Sequence, residues 1–348
     1  MTVINVGIVG TGIFARDRHL PSYKELSDKF KVVSCYNRTR SKAEEFAKLA
    51  DIPKNKVFNS IEEIVADPEV ELIDALVPVQ FNLDVVKTCL KAGKPVSLEK
   101  PIAATMQQAR ALVKLTDDSD VPVSIGENWL HLESVAALKK AVKEIGPIVS
   151  FTYNSTGAFV TKNKYLSTSW RQHPEHIGGF LSDGGVHQLA LLTSVLGEIK
   201  SVSALTKQVR KESGADDVVF STVKLKSDVI GTFTYGSAFG QTSKWTIFKI
   251  YGLNGSVFLD LSDKREPKIT VLVGGCAEEN LKNETITVKE DESFGVNAEF
   301  ENFHQAVVAK DKNLILGTPR TCFHHLACVA AFLESSSKNG DHVDVETV

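Results

Sequence analysis

The chain has 348 residues, 43% of them hydrophobic, and a formal net charge of −3 with both signs spread along its length. That size and apolar content allow two cored domains. The charge balance excludes the basic block of a nucleic-acid or membrane-surface binder, and no apolar run approaches the length that spans a bilayer. The first residues, MTVINVGIVGTG, lack a basic segment ahead of the apolar run. They read as a strand and a glycine turn rather than a signal peptide. The five cysteines, Cys35, Cys89, Cys276, Cys322 and Cys328, are odd in number and form no CxxC pair. Reduced thiols in a cytoplasmic protein are the expectation.

Up to about residue 125, short apolar runs alternate with amphipathic stretches. The apolar runs are residues 4–10, 31–37, 71–79, 94–101 and 121–128. Helical spacing marks residues 41–50, 60–67, 82–93 and 105–117, with Gly93 as a C-terminal stop. This alternation predicts a parallel sheet covered on both faces. After a helix at 134–146 the rhythm changes to longer alternating stretches, from 148–156 to 284–291. They predict one large, mostly antiparallel sheet, with a hairpin turn at 253–256. Helices return at 297–310 and 320–336, and SSSKNGDH reads as a loop near the end. The expected architecture is α/β: an N-terminal Rossmann dinucleotide-binding domain, 1–128, and a C-terminal α+β substrate and dimerisation domain, 129–348.

The first apolar run ends in Gly10-Thr11-Gly12-Ile13-Phe14-Ala15, a GxGxxA turn opening a helix. Gly10 permits the tight turn, Gly12 lets the backbone approach a pyrophosphate, and Ala15 allows close helix–strand packing. Helix N-terminal N–H groups then face the phosphates. The structural alternative is a tight turn with no ligand. The second run ends in Tyr36-Asn37-Arg38-Thr39-Arg40-Ser41-Lys42, with no carboxylate to bind ribose hydroxyls or repel a 2′-phosphate. Arg38, helped by Thr39, Arg40 or Lys42, therefore points to NADP(H) rather than NAD. The bland alternative is a solvated basic helix start.

Glu99-Lys100-Pro101 closes the fourth run. Trp170-Arg171, Gly178-Gly179 and Asp183-Gly184-Gly185-Val186-His187 follow. Together with the glycine turn, these segments resemble the Gfo/Idh/MocA oxidoreductase family over essentially the whole chain. The stretches GTGIFARDRHLPSY, NKYLSTSWRQHPEHIGGFLSDGGVHQLAL and ESFGVNAEFENFH also resemble a fungal, NADP(H)-specific member. The resemblance implies catalytic roles for Lys100, Asp183 and His187. It implies cofactor contacts from Gly10, Thr11, Gly12, Ile13, Phe14, Arg38, Pro78, Asn82, Glu99, Lys100, Trp170 and Arg171. Asn128 and Trp129 either line or pack the substrate pocket. Two positions depart from the family pattern: Ala190 stands where many members carry a second Asp, and Asn82 where many carry a His.

Asp183 and His187, four apart, share one helix face. An acid or base there suits moving a hydroxyl proton, and a lysine suits stabilising a developing alkoxide. The expected activity is hydride transfer between NADP(H) and a small carbonyl, alcohol or polyol substrate. The alternative is a non-catalytic NADP-binding sensor of the same fold with a protein partner. The retained Lys100, Asp183 and His187 argue against the sensor, which needs no acid–base set. A homodimer is expected, with no nucleic-acid or membrane partner. His173, His176, His324, His325, Cys322 and Cys328 show no closed zinc spacing, so no metal is expected. No GxSxG, Walker A or HExxH pattern occurs.

Overall fold

The computed structural model describes residues 2–161 and 174–348. They divide into two compact units.

The first unit opens on β1 (Ile4–Val9), a π-helical turn at Ala15–His19 and α1 (Leu20–Glu25). There follow β2 (Phe30–Tyr36), α2 (Arg40–Leu49), β3 (Val57–Phe58), α3 (Ile61–Ala66), β4 (Leu72–Ala75), α4 (Asn82–Lys91), β5 (Val96–Glu99), α5 (Met106–Asp117) and β6 (Val123–Gly126). All six strands pair in parallel, in the order β3-β2-β1-β4-β5-β6. This is the doubly wound order, in which ligands lie beyond the carboxyl ends of the strands where the winding reverses, here between β1 and β4. The strands read as unbroken apolar runs because both sheet faces are covered. β3 escapes the sequence reading because its two residues are too short for a pattern.

The second unit begins at Trp129. It contains α6 (Glu133–Ala141), β7 (Ile148–Ala158) and α7 (Phe180–Leu196). Strands β8 (Ile199–Lys207), β9 (Val218–Leu225), β10 (Ile230–Phe239), β11 (Trp245–Gly252), β12 (Gly255–Asp260), β13 (Lys268–Val273) and β14 (Lys282–Thr287) follow. With β15 (Val343–Asp344) they form a nine-stranded sheet ordered β14-β13-β12-β11-β7-β10-β9-β8-β15. Every pairing is antiparallel except β7 with β10. Leu253 and Asn254 form the expected hairpin turn between β11 and β12. Phe151, Tyr153, Phe233 and Phe248 are buried on the inner face.

One stretch departs from the sequence reading. The sequence assigns all of 129–348 to one domain, but residues 296–323 join the first unit. There, on α8 (Val296–Ala309), Phe300, Phe303 and Ala306 complete the core built by Ile8, Tyr23 and Phe30. An amphipathic pattern states that a face must be buried, not which core receives it. Then α9 (Pro319–Ser337) matches the helix expected over 320–336, and the polar turn begins at Lys338 rather than at the first of the serines. Ser335 is buried, and its hydroxyl accepts from Ala204 N (2.8 Å) and donates to Asp341 O (2.6 Å). Satisfied hydrogen bonds make its burial tolerable. Among the described residues no helix is long and apolar enough to cross a membrane.

Candidate functional site

The glycine turn sits where β1 meets the end of β4. Gly10 has φ +96°, and a Cβ there would lie 2.3 Å from Leu76 O, so only glycine fits. A Cβ on Gly12, by contrast, would meet nothing within 4 Å, so the space over the turn is open. Ala15 is fully buried. The Thr11 hydroxyl is buried with no hydrogen-bond partner. An open backbone face and an unsatisfied hydroxyl fit a phosphate group, which accepts from N–H and O–H donors.

Beyond β2, Arg38 and Thr39 are exposed. Arg40 is committed elsewhere. Its Nη1 donates to Val57 O (2.6 Å) and Asn59 Oδ1 (2.9 Å), and its Nε to Glu44 (3.0 Å). Of the basic residues after β2, Arg40 is therefore tied into the sheet edge.

At the carboxyl end of β5, Glu99 and Lys100 are half-buried. Asn82, the first residue of α4, is 1% exposed beneath this turn. Its Nδ2 lies 3.3 Å from Glu99 O, 3.2 Å from Pro101 O and 3.2 Å from Ile102 O. The amide thus anchors the turn's main chain from below. Pro78 caps the short 3-10 turn leading into α4.

A buried histidine that the sequence reading passes over sits here. His19 Nδ1 is 2.7 Å from Asp74 Oδ2 and its Nε2 is 3.0 Å from Glu99 Oε1. Phe14 and Phe300 pack edge-on against the ring. Desolvation lowers the imidazole pKa, but the charge and hydrogen bond of Asp74, joined by those of Glu99, outweigh it and raise the value to about 10. Burial first, then Glu99, pushes the Glu299 carboxyl well above the usual range. The opposing pull of His19 is overcome, and Glu127 and Asp74 add to the rise. The signal in the sequence is Asp74 itself, a carboxylate inside the apolar run 71–79. A buried charge demands a partner.

In the second unit, Asp183 stands in the first turn of α7 and His187 one turn later, both half-buried. The His187 ring stacks on Trp129, centroids 5.7 Å apart and 14° between planes. Trp129 is 5% exposed and also meets Phe294 edge-on, while Lys264 Nζ lies over both rings. Trp129 therefore packs and orients His187. Gly184 admits Tyr235: a Cβ there would lie 2.0 Å from the phenol oxygen. Burial, and then the charge of Asp183, pushes that phenol up. Ala190 is fully buried. Asn128 begins the 3-10 turn at the junction and is half-buried. Trp170 and Arg171 lie outside the described residues. His324 and His325 serve packing: His324 Nε2 accepts from Ile199 N (3.0 Å), and His325 Nε2 pairs with the Thr193 hydroxyl (3.1 Å).

Comparison with known proteins identifies two family models along the chain. A family model described as the oxidoreductase family, NAD-binding Rossmann fold, matches residues 4–127. Its companion, the C-terminal alpha/beta domain, matches residues 139–345. An uncharacterized protein of Saccharomyces cerevisiae is 63% identical over 347 residues, 99% of each chain. The crystal structure of an oxidoreductase from Thermotoga maritima superposes with a TM-score of 0.86 at 33% identity, covering 99% of each chain. Levoglucosan dehydrogenase in complex with NADH and L-sorbose shares the fold, with a TM-score of 0.87 at 18% identity over all of both chains.

Proposed function

The chain belongs to the Gfo/Idh/MocA oxidoreductase family, and from that premise we propose that it is an NADP(H)-dependent oxidoreductase of a small carbonyl or alcohol substrate, whether aldehyde, ketone or sugar. The observation that carries the cofactor choice is the end of β2. It offers an exposed Arg38 and no carboxylate, while Arg40 is tied to the neighbouring strand. A carboxylate there would favour ribose hydroxyls and repel a 2′-phosphate, whereas a guanidinium pairs with that phosphate. The open face of Gly12 and the unpartnered Thr11 hydroxyl support a pyrophosphate over the turn, with Ile13 and Phe14 opening the helix behind it.

When bound, the nicotinamide exchanges a hydride with the substrate carbon. The chain's own residues must then move one proton on or off the substrate oxygen. Lys100, as an ammonium, stabilises negative charge developing on that oxygen. His187, its ring held by Trp129, acts as general acid or base, with Asp183 as its helical partner. Five free cysteines, four of them buried, suit a reducing cytoplasm.

Pairing of two copies is part of the same reading. Leu205 and Phe220 oppose each other on neighbouring strands, and both are more than half exposed. A two-fold pairing would cover this patch on both copies. Light scattering should find a dimer that Phe220→Lys weakens, and a monomeric wild type overturns the pairing.

The test of activity is NADPH consumption with a panel of aldehydes, ketones and sugars, run also in reverse with alcohols and NADP+. Turnover with NADP(H) well above that with NAD(H) is expected. Tight NADPH binding with no turnover on any of them would favour a nucleotide sensor instead. Failure to bind NADPH overturns both readings.

A further inference from the structure

Beneath the Glu99-Lys100-Pro101 turn lies a charge network that the proposed chemistry does not use. His19 closes the π-helical turn Ala15–His19 and is 3% exposed. Such turns recur at functional sites, where the extra residue re-aims a side chain. Each ring nitrogen faces a carboxylate, Asp74 at 2.7 Å and Glu99 at 3.0 Å. With both carboxyl groups ionised, two acceptors face the ring and call for two N–H donors, the imidazolium form. The pKa of about 10 agrees with that state at neutral pH.

The link to Glu99 sets what this cation does. Glu99 is the last residue of β5, and Lys100 is bonded to it. The side chain of Glu99 is held by His19, and the carbonyls of Glu99, Pro101 and Ile102 are held by Asn82. A Cβ at Gly126 on the neighbouring strand would lie 3.1 Å from Glu99 Oε1, so the carboxylate is fitted closely there too. The Lys100 backbone is thus fixed from the side chain before it and from the main chain around it. Rigid support of this kind sets catalytic geometry, since a displacement of about 1 Å costs about 100-fold in rate.

We propose that His19, bridging Asp74 and Glu99, is a positioning residue that holds Lys100 in its working geometry. The proposal rests on the reading of Lys100 as catalytic. His19 touches neither substrate nor reacting atoms in this role; it acts through Glu99.

The test compares wild type, His19→Gln, Lys100→Met and the double variant, each with turnover, NADPH affinity and melting temperature measured on the same sample. His19→Gln removes the charge and one of the two bridges. It should lower kcat about 10- to 100-fold while NADPH affinity stays within about threefold. Added to Lys100→Met, it should lower kcat by less than about threefold, because the residue it positions is already gone. Asp74→Asn is the milder companion, close in volume and still able to accept from Nδ1. It should give a smaller loss with the same pattern, and it decides the matter if His19→Gln fails to fold. Folded His19→Gln with wild-type kcat, beside an inactive Lys100→Met, overturns the positioning role and leaves the oxidoreductase reading intact. Fully additive losses in the double variant overturn it too, since they describe a residue that only supports the fold. Normal turnover in Lys100→Met removes the premise and the positioning role with it.

Discussion

Raising the pH from about 7 to about 9 should loosen the first unit through one buried group, His19. Its pKa rises from 6.5 to about 10 in the folded chain. A group whose folded pKa exceeds its unfolded value stabilises fully below the unfolded value and loses that contribution as pH climbs through the folded one. The window therefore runs from 6.5 to about 10. Within it the native state binds one more proton than the unfolded chain, so stability falls by about 1.4 kcal/mol per pH unit. Allowing for partial titration at the lower end, the loss between about pH 7 and about pH 9 is roughly 2–3 kcal/mol. Tyr23 and the carboxyls of Glu99, Asp74, Glu127 and Glu299 stand in or beside the same network. The useful quantity is therefore the difference between wild type and His19→Gln. Native-state hydrogen exchange of the β1 and β4 amides reads the first unit alone, and comparing both proteins at each pH cancels intrinsic exchange rates. Wild type should be the more protected at about pH 7, with the gap narrowing by roughly 2–3 kcal/mol towards about pH 9. A gap constant with pH would refute a charged His19.

The two turn glycines should separate cleanly. Gly10→Ala collides with Leu76 O and should unfold the first unit, whereas Gly12→Ala meets open space and should keep its melting temperature while losing most NADPH affinity; unchanged affinity in Gly12→Ala would return the turn to a purely structural role. Arg38→Ala should weaken NADPH binding about 10- to 100-fold and leave NADH nearly unchanged, the scale of one charge-assisted phosphate pair, and equal losses for both cofactors count against NADP selection. Lys100→Met keeps the stem and removes the charge, so turnover should drop by about two to four orders of magnitude at similar NADPH affinity. His187→Ala and Asp183→Ala should each slow single-turnover hydride transfer, and together much less than additively, as residues working as a unit do; normal transfer with a lowered melting temperature would make the pair packing residues only.

What the sequence determines by itself is whatever rests on local rules. Alternating runs and helical spacing specify a parallel sheet and then an antiparallel one, because burial on two faces or on one imposes different periods. The glycine turn is legible because its backbone requirements are local, and Arg38 because the absence of a carboxylate is visible in a short segment. Tertiary structure alone decided the rest. It carried α8 back to the first unit, since an apolar stripe does not name its core. It left Arg38 exposed and engaged Arg40 by placing β3 beside α2. It set Trp129 against His187, residues far apart in the chain. It joined His19, Asp74 and Glu99 from three separate elements under one turn. Charge pairs of that kind are fixed by burial and distance, and neither exists until the chain has folded.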